Sequence, residues 1–370
     1  MGLMVLMSCS ADSELETSEM KTAAVEVVSY ARWFDEAYGT NRAWAIPSGY
    51  TAYEGGDQPI GIAFTQNSEP PQTPQIGSFF KSGDKWRTNI ETIPSGTSYL
   101  YGYIPELPAI RYSITDRDGA DAAYNGGAIM TLQNVPTVMP NDLCVVIGAK
   151  HGYDKEHDGD NTDPRTNRLR QGDFSFTAAG SATGNYVFLL FDHLYAALRI
   201  RMRMHDDYAA LRTIKLKSLQ LGTMADASTT RQKTDITISL QTTDGSVSPI
   251  TGITYAQPDT YPVIDGTGLE FWSDPAGTAL TTDFQPFIGH FMPTGITKLI
   301  LTSTYDVYDR KGNLIRLNCK ATNTMVLKDM LTDQTVTERG KRYTINMTIQ
   351  PTYLYMLSEP DLDNPTVIIN

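Results

Sequence analysis

Apolar and polar residues alternate with a period of two along the clearest segments of the chain. Ile200, Met202 and Met204 alternate with arginines, and similar alternation recurs at residues 235–240 and 343–349. Because successive side chains of a β-strand point to opposite faces, each segment predicts a strand with one buried and one solvated face. Weaker strand-like runs, bounded by proline and glycine, lie at residues 60–64, 99–104 and 143–147. The pattern therefore predicts an all-β protein.

Local irregularities in this pattern indicate turns, a bulge and a boundary. A hairpin is predicted over residues 299–319, because Gly312 and Asn313 in its turn favour positive φ angles. At Ser218 the apolar register slips by one residue, which indicates a β-bulge. Residues 178–185 are small and flexible, so we place a domain boundary there. The resulting organisation is a signal-like segment at 1–9, a spacer and first strand at 10–42, β-sandwich-like domains at 43–185 and 186–352, and a C-terminal arm at 353–370.

Composition and charge narrow the class of protein. The chain has 370 residues, of which 41% are hydrophobic and 19% charged, with 20 tyrosines. That length suits two domains, and few charges with many tyrosines fit an extracellular all-β protein. The formal net charge of −12 argues against nucleic-acid binding and against docking on anionic lipid, because both need clustered lysine and arginine.

No motif indicates catalysis. The sequence lacks the nucleophile-elbow, phosphate-loop, zinc-protease and Cys-x-x-Cys patterns. His193 precedes a strand, and we expect a structural role for it. Residues 154–160 place oxygen side chains at alternate positions with Gly159 at the sixth, as a calcium loop begins, but Arg165 stands where a bidentate glutamate belongs. A solvated acidic loop is favoured over a metal site, and we expect no enzyme activity, cofactor or metal.

The three cysteines have different predicted roles. Cys9 follows the short apolar run 3–7, which is typical of a bacterial lipoprotein signal with Cys9 lipidated. No lysine or arginine precedes that run, so an upstream start or a terminus without a targeting role stays open. Cys144 and Cys319 lie in apolar strand-like runs and are predicted to be buried thiols. A disulfide between these two is also open.

The N-terminal segment carries a strand that could be replaced, and the C-terminal tail carries a strand that could compete for its place. Residues 23–30 form a strand by propensity, and a polar loop then leads to Arg42. A cut at Arg42 would remove the covalent tether that favours this strand over a competitor. The C-terminal tail ends in Thr366, Val367, Ile368 and Ile369, and an exposed apolar tail invites aggregation. We expect the tail to pair with a strand of another copy, or alternatively with its own domain.

These segments together resemble the fimbrillins of Bacteroidetes, which are subunits of type V pili. The resemblance rests on residues 6–9, 23–30, 60–64, 188–204 and 340–345 and on the Arg42-Ala43 junction. It implies two transthyretin-like β-sandwich domains in tandem and export to the cell surface as an outer-membrane lipoprotein. It also implies that an arginine-specific or trypsin-like protease cuts after Arg42, so that Ala43 becomes the mature N-terminus, with Arg32 as a second basic candidate.

The resemblance further implies donor-strand exchange, in which the C-terminal arm of another subunit fills the vacated groove. The predicted function is therefore a structural subunit of a cell-surface fimbria that supports adhesion, with other fimbrial subunits as partners. The alternative is a non-polymerising surface lipoprotein of β-sandwich fold that binds glycan or host protein. Such a glycan site would need exposed aromatic residues, and the candidates are Trp33, Trp44, Trp86 and Trp272, although core packing is the commoner role of tryptophan.

Overall fold

The part of the chain that the structure describes consists of β-strands and two single-turn helices. The computed structural model describes residues 23–32, 50–53, 57–66, 73–90, 97–117, 124–152, 169–177, 186–225, 228–330, 335–353 and 360–369. In chain order the strands are β1 (Ala23–Arg32), β2 (Tyr50–Ala52), β3 (Ile60–Gln66), β4 (Gln75–Ser82), β5 (Lys85–Thr88), β6 (Thr97–Ile104), β7 (Arg111–Asp116), β8 (Gly127–Pro136), β9 (Val138–Met139), β10 (Cys144–Gly152), β11 (Ser175–Thr177), β12 (Tyr186–His193), β13 (Ala196–Met204), β14 (Arg212–Ala225), β15 (Ser228–Thr229), β16 (Lys233–Gln241), β17 (Ile250–Ala256), β18 (Leu269–Ala279), β19 (Gln285–Phe291), β20 (Lys298–Asp309), β21 (Leu314–Val326), β22 (Arg342–Tyr353) and β23 (Pro360–Ile369). The helices are α1 (Asp206–Ala209) and α2 (Leu327–Met330).

The largest sheet, sheet A, has the strand order β10-β12-β1-β5-β4-β3-β6-β11, with β2 beside β1. Strand β10 also pairs with β6 through Cys144–Ile104 and Val145–Tyr103, so the sheet closes on itself. Alternate side chains of its strands point inward and form a separate apolar core. The described members of this inner core are mostly aliphatic and aromatic: Ala31, Ile60, Ile62, Phe64, Phe79, Ile90, Leu100, Ile104, Cys144, Val146, Ala149, Val187, Leu189 and Phe191.

The outer face of sheet A packs on a second sheet, sheet B, with the order β17-β16-β8-β7. Tyr101 and Tyr103 of β6 are buried there with Met130 and Leu132 of β8. The same buried cluster continues into the second half of the molecule, where it includes Ile200 of β13. One continuous core therefore joins sheet A and sheet B to the remaining two sheets.

The remaining sheets face each other as a sandwich. Sheet C has the order β23-β22-β13-β19-β9, and sheet D has the order β15-β14-β20-β21 with β18 beside β14. Met202 of β13 and Met347 of β22 share one buried cluster with Leu216 of β14 and Leu301 of β20. In sheet C, β13 and β22 run parallel, whereas β13 and β19 run antiparallel.

The predicted all-β class is confirmed, and so are the bulge and the hairpin. The register of β14 shifts beside Ser218 on both of its neighbours. Strands β20 and β21 form the hairpin. Its turn contains Gly312 at φ 84°, as expected, but the positive φ predicted for Asn313 is wrong. Asn313 instead donates its side-chain amide to Asp309 at 2.8 Å. The side chain of Asn313 therefore closes the turn by a hydrogen bond.

The two described cysteines are free thiols, and no disulfide joins them. Cys144 is fully buried inside sheet A, as predicted. Cys319 is only half-buried, which corrects the prediction that both thiols are buried. It lies on β21, which forms an edge of sheet D and is largely exposed over its first half.

Strand pairing crosses the predicted boundary near residue 186. Strand β12 follows that boundary, yet it belongs to sheet A, between β10 and β1. Strand β16 pairs with β8 across about a hundred residues of sequence, with Ile238 opposite Met130. The sheets therefore do not divide at residue 186, and the predicted count of two tandem domains stays a prediction.

Candidate functional site

The predicted replaceable strand, β1, lies in the interior of sheet A. Residues 26–31 pair parallel with residues 186–191 of β12. On its other side, residues 23–25 pair antiparallel with β5 and residues 30–32 with β2. The other strand pairs described in sheet A are antiparallel. Strand β1 is therefore a central strand that forms the sheet's parallel contact, and parallel pairing is slightly weaker per residue than antiparallel pairing.

The hydrogen bonds of the β1 backbone alternate between its neighbours. The carbonyl of Ser29 accepts a hydrogen bond from the backbone N–H of Tyr53 at 2.9 Å, on the β2 side. Because successive peptide groups of a strand point to opposite sides, the backbone groups of Val28 and Tyr30 point toward β12. Removing β1 would leave a slot between β12 on one side and β5 and β2 on the other, with unpaired backbone groups along both edges.

The inward face of β1 closes the inner core of sheet A. Val27 packs against that core, and Ala31 is buried within it. In register, Val27 lies beside Val187 and Ala31 beside Phe191 of β12. The ring of Tyr53 packs on Phe191 with centroids 5.4 Å apart. A vacated slot would therefore be apolar, and its strand edges would accept another strand with alternating apolar residues.

The other predicted exchange element, the C-terminal arm, also forms a strand. Strand β23 pairs antiparallel with β22 of the same chain, with Thr366, Val367, Ile368 and Ile369 opposite residues 350–347 in that order. The pairing continues at Thr352 opposite Asp361 after a register shift. Strand β23 lies at the edge of sheet C and, like β1, is ten residues long. In this single chain the arm therefore pairs with its own domain, which was the alternative expected from the sequence.

Several predicted site residues lie outside the described residues. These are the lipidation candidate Cys9, the processing junction Arg42–Ala43 and the acidic loop at residues 154–160. Arg32, the second basic candidate, is the last residue of β1 and pairs with Tyr50 of β2. Its backbone is thus part of the sheet, whereas Arg42 belongs to the stretch between β1 and β2.

A buried polar cluster at the junction of sheets A and C was only partly predicted from the sequence. His193 Nδ1 lies 2.7 Å from Asp142 Oδ2, and the Cys144 thiol donates to the same oxygen at 3.2 Å. Arg339 contacts Asp192 Oδ2 at 3.2 Å and donates to the carbonyl of His193 at 2.9 Å. The structural role predicted for His193 agrees with this geometry, but Asp142 and Arg339 carried no sequence pattern that would have identified them.

The charges of this cluster explain why it is structural and not nucleophilic. Burial and the adjacent Asp142 carboxylate hold the pKa of the Cys144 thiol well above its usual value, so a reactive thiolate is disfavoured. Burial alone would raise the pKa of Asp142, but His193, His290 and the Cys144 thiol together outweigh it and the net shift is downward. Asp142, Cys144 and His193 have metal-ligating atoms within 4.8 Å of one another. Cys144 and His193 both contact Asp142 Oδ2, whereas Asp142 Oδ1 is buried and has no hydrogen-bond partner among the described residues.

The tryptophans within the described part of the chain pack into cores. Trp86 lies against the inner core of sheet A, and Trp272 packs edge-on against Phe287 with centroids 4.7 Å apart. Neither forms an exposed aromatic platform on which a sugar ring could stack. Among the described residues, no helix has the length and apolar character required to cross a membrane.

No family model and no curated protein matches this chain. Among solved structures it is similar to candidate cell adhesion proteins from Bacteroides uniformis (15% identity, 94% of this chain and 98% of that chain, TM-score 0.36) and Bacteroides fragilis (11%, 94% and 97%, TM-score 0.39). It is also similar to the fimbrial anchor protein Mfa2 from Porphyromonas gingivalis (10%, 93% and 97%, TM-score 0.25). All three are described as cell adhesion or fimbrial proteins, and all three come from Bacteroidetes.

Proposed function

We propose that this chain is a structural subunit of a cell-surface fimbria that supports adhesion. In this proposal, an arginine-specific or trypsin-like protease cuts after Arg42, and β1 is then replaced by the C-terminal arm of another subunit. The precursor is a lipoprotein anchored to the outer membrane through Cys9. The observation that carries the proposal is the position of β1, a central strand of sheet A that precedes the Arg42 segment and covers an apolar core.

The energetics of β1 support replacement and not simple release. Emptying the slot would expose apolar surface to water, which costs about 25 cal/mol of free energy per Å². It would also leave backbone groups on β12, β5 and β2 unpaired. A cut chain would therefore retain β1 until a competing strand arrives.

The arm has the properties of such a donor. Strand β23 equals β1 in length, and it ends in the apolar sequence of Val367, Ile368 and Ile369. As an edge strand it forms one described backbone ladder, with β22, and it also lies near β21 of sheet D. Leaving β22 therefore disrupts one ladder, whereas entering the slot of a neighbour would form ladders on two sides.

A second candidate function has one observation in its favour. Because β23 already pairs with β22 of its own chain, the arm has a stable position without a partner subunit. A non-polymerising surface lipoprotein that binds glycan or host protein would keep this arrangement permanently.

The experiment begins with limited trypsin treatment of the full chain, followed by intact mass measurement and N-terminal sequencing. A labelled peptide of residues 355–370 is then added to cut and uncut protein, and oligomers are followed by light scattering. The proposal expects a new terminus at Ala43, release of residues 23–42 on peptide binding, and oligomers from cut protein alone. Arg42→Gln serves as the uncut control.

Two outcomes would contradict the proposal. The first is a chain cut after Arg42 that stays monomeric, retains β1 and does not bind the peptide. The second is equal peptide binding by cut protein and by Arg42→Gln, because binding would then not require the vacated slot. The first outcome would favour the non-polymerising alternative.

A further inference from the structure

The outer face of sheet C carries a row of arginines that the proposed strand exchange does not use. Arg199, Arg201 and Arg203 occupy alternate positions of β13 and point away from the core that buries Ile200 and Met202. Two residues of a strand span about 6.6–6.8 Å, so the three side chains leave the sheet at regular intervals. We call these three residues the arginine row.

The strands on either side of the arginine row contribute no acidic partner. On the parallel neighbour β22, Thr344, Asn346 and Thr348 lie opposite the three arginines in order. On β19, Ile288 lies opposite Arg199 and Pro286 opposite Arg201. Within the described part of the chain, no arginine of the row forms an ion pair. Three positive charges therefore lie together in a chain whose formal net charge is −12.

The contacts that the row does make position the guanidinium groups without neutralising them. The ring of Phe284 lies 4.9 Å from the guanidinium carbon of Arg201 and 4.6 Å from that of Arg203. Arg203 Nε also donates to the hydroxyl of Thr348 at 3.3 Å. Arg199 Nε and Asn346 Oδ1 are buried and have no hydrogen-bond partner among the described residues. Cation–π contacts hold the planar groups but leave their charge available to an anion.

The position of the row within its sheet indicates what kind of anion fits. Strand β13 lies between β22 and β19, so its backbone N–H and C=O groups are already paired. An acidic peptide could not add to this face as a strand and would gain more at a free sheet edge. Recognition on this face depends on guanidinium, hydroxyl and amide side chains. These groups bind carboxylate or sulfate and, beside them, the hydroxyls of a sugar.

We propose that the arginine row, with Thr344 and Asn346 of β22, is a binding site for an anionic glycan that carries carboxylate or sulfate groups. This site rests on the second candidate function, glycan binding, and specifies the class of glycan. It does not depend on cleavage at Arg42 or on strand exchange. The regular spacing of the row suits a linear glycan with repeated charges, which runs along β13.

The test measures binding of the uncut protein to immobilised glycans at low ionic strength. Polygalacturonate supplies carboxylates alone, dextran sulfate supplies sulfates alone, and unmodified dextran is the neutral reference. The protein is expected to bind at least one charged glycan and not dextran, with affinity that falls as salt is added. The double variant Arg201→Gln/Arg203→Gln is expected to bind at least about tenfold more weakly, because two charge-assisted contacts are lost.

The matched control removes the same charge elsewhere. Arg316→Gln/Lys320→Gln changes two exposed positions of β21 in sheet D and should bind like the unchanged protein. Equal losses in both double variants would overturn the site, because the effect would then be net charge alone. Unchanged binding by Arg201→Gln/Arg203→Gln, or no binding to either charged glycan, would also overturn it. A row variant that alters only self-association would assign the face to a second copy of the chain and likewise overturn the proposal.

Discussion

Proline at position 28 should loosen β1 and accelerate its replacement by the arm. The backbone of Val28 points toward β12, so Val28→Pro removes a donor from the parallel ladder. An acceptor left without its donor inside the sheet costs about 1–3 kcal/mol, and the fixed φ of proline adds to this in an extended strand. We take the combined cost as about 2–3 kcal/mol, which corresponds to a roughly 30- to 160-fold higher population of the opened slot.

The assay follows displacement of β1 from trypsin-cut protein by a labelled peptide of residues 355–370. Val28→Thr, which keeps the N–H and a branched side chain, is the matched control at the same position. Leu317→Pro controls for proline in general, because Leu317 is exposed and lies where the register of β21 is broken. The reasoning is that the opening of β1 limits the rate at which the peptide replaces it. Equal displacement rates for Val28→Pro and Val28→Thr, with equal protection of residues 23–32 against amide hydrogen exchange, would refute it.

Three further predictions concern stability and access to the core. Gly289→Ala should lower the free energy of unfolding, measured by urea titration, by about 1–3 kcal/mol, because the new methyl group would overlap the ring of Phe271. Gly252→Ala is the control and should change this free energy far less, because the nearest atom to its new methyl group lies at 3.9 Å. The lowered pKa of Asp142 contributes stability that is fully present above its usual unfolded pKa of about 3.9 and is lost as the pH falls through the lower folded value. Asp142→Asn should therefore flatten the fall in unfolding free energy as the pH drops below about 4, and an unchanged slope would contradict this assignment. In a chain whose other cysteines are replaced by serine, the buried Cys144 should resist a thiol reagent in the precursor and react once β1 is displaced. Fast labelling of the intact precursor would contradict this, because the inner core would then be accessible while β1 is still in place.

Much of the local structure followed from the sequence because its causes are local. The alternation at β13 placed Met202 and Met204 in the core and the arginines on the outer face, as the structure shows. The slip at Ser218 marked a real bulge, because an extra residue shifts the side-chain register within the strand itself. Strand β1 was expected from its own apolar residues, and it is a strand.

The arrangement of those strands could not be predicted in the same way. The sequence pattern does not specify that β1 pairs parallel with β12, more than 150 residues later, because alternation determines which face is buried and not which strand lies alongside. The junction cluster is similar, since Asp142 and His193 come together only where β10 and β12 pair. The small residues 178–185 suggested a boundary, yet the strand that follows them belongs to sheet A.

The sequence by itself determined the all-β class, the faces of the strands and the two terminal segments with strand propensity. The tertiary structure decided that the first of these is a central strand over an apolar slot and the last an edge strand on its own domain. It also decided that the arginine row has no acidic neighbour in register. The physical reason is range: side-chain alternation is set by adjacent residues, whereas backbone pairing and charge neighbours are set by which distant strands bury their apolar faces together.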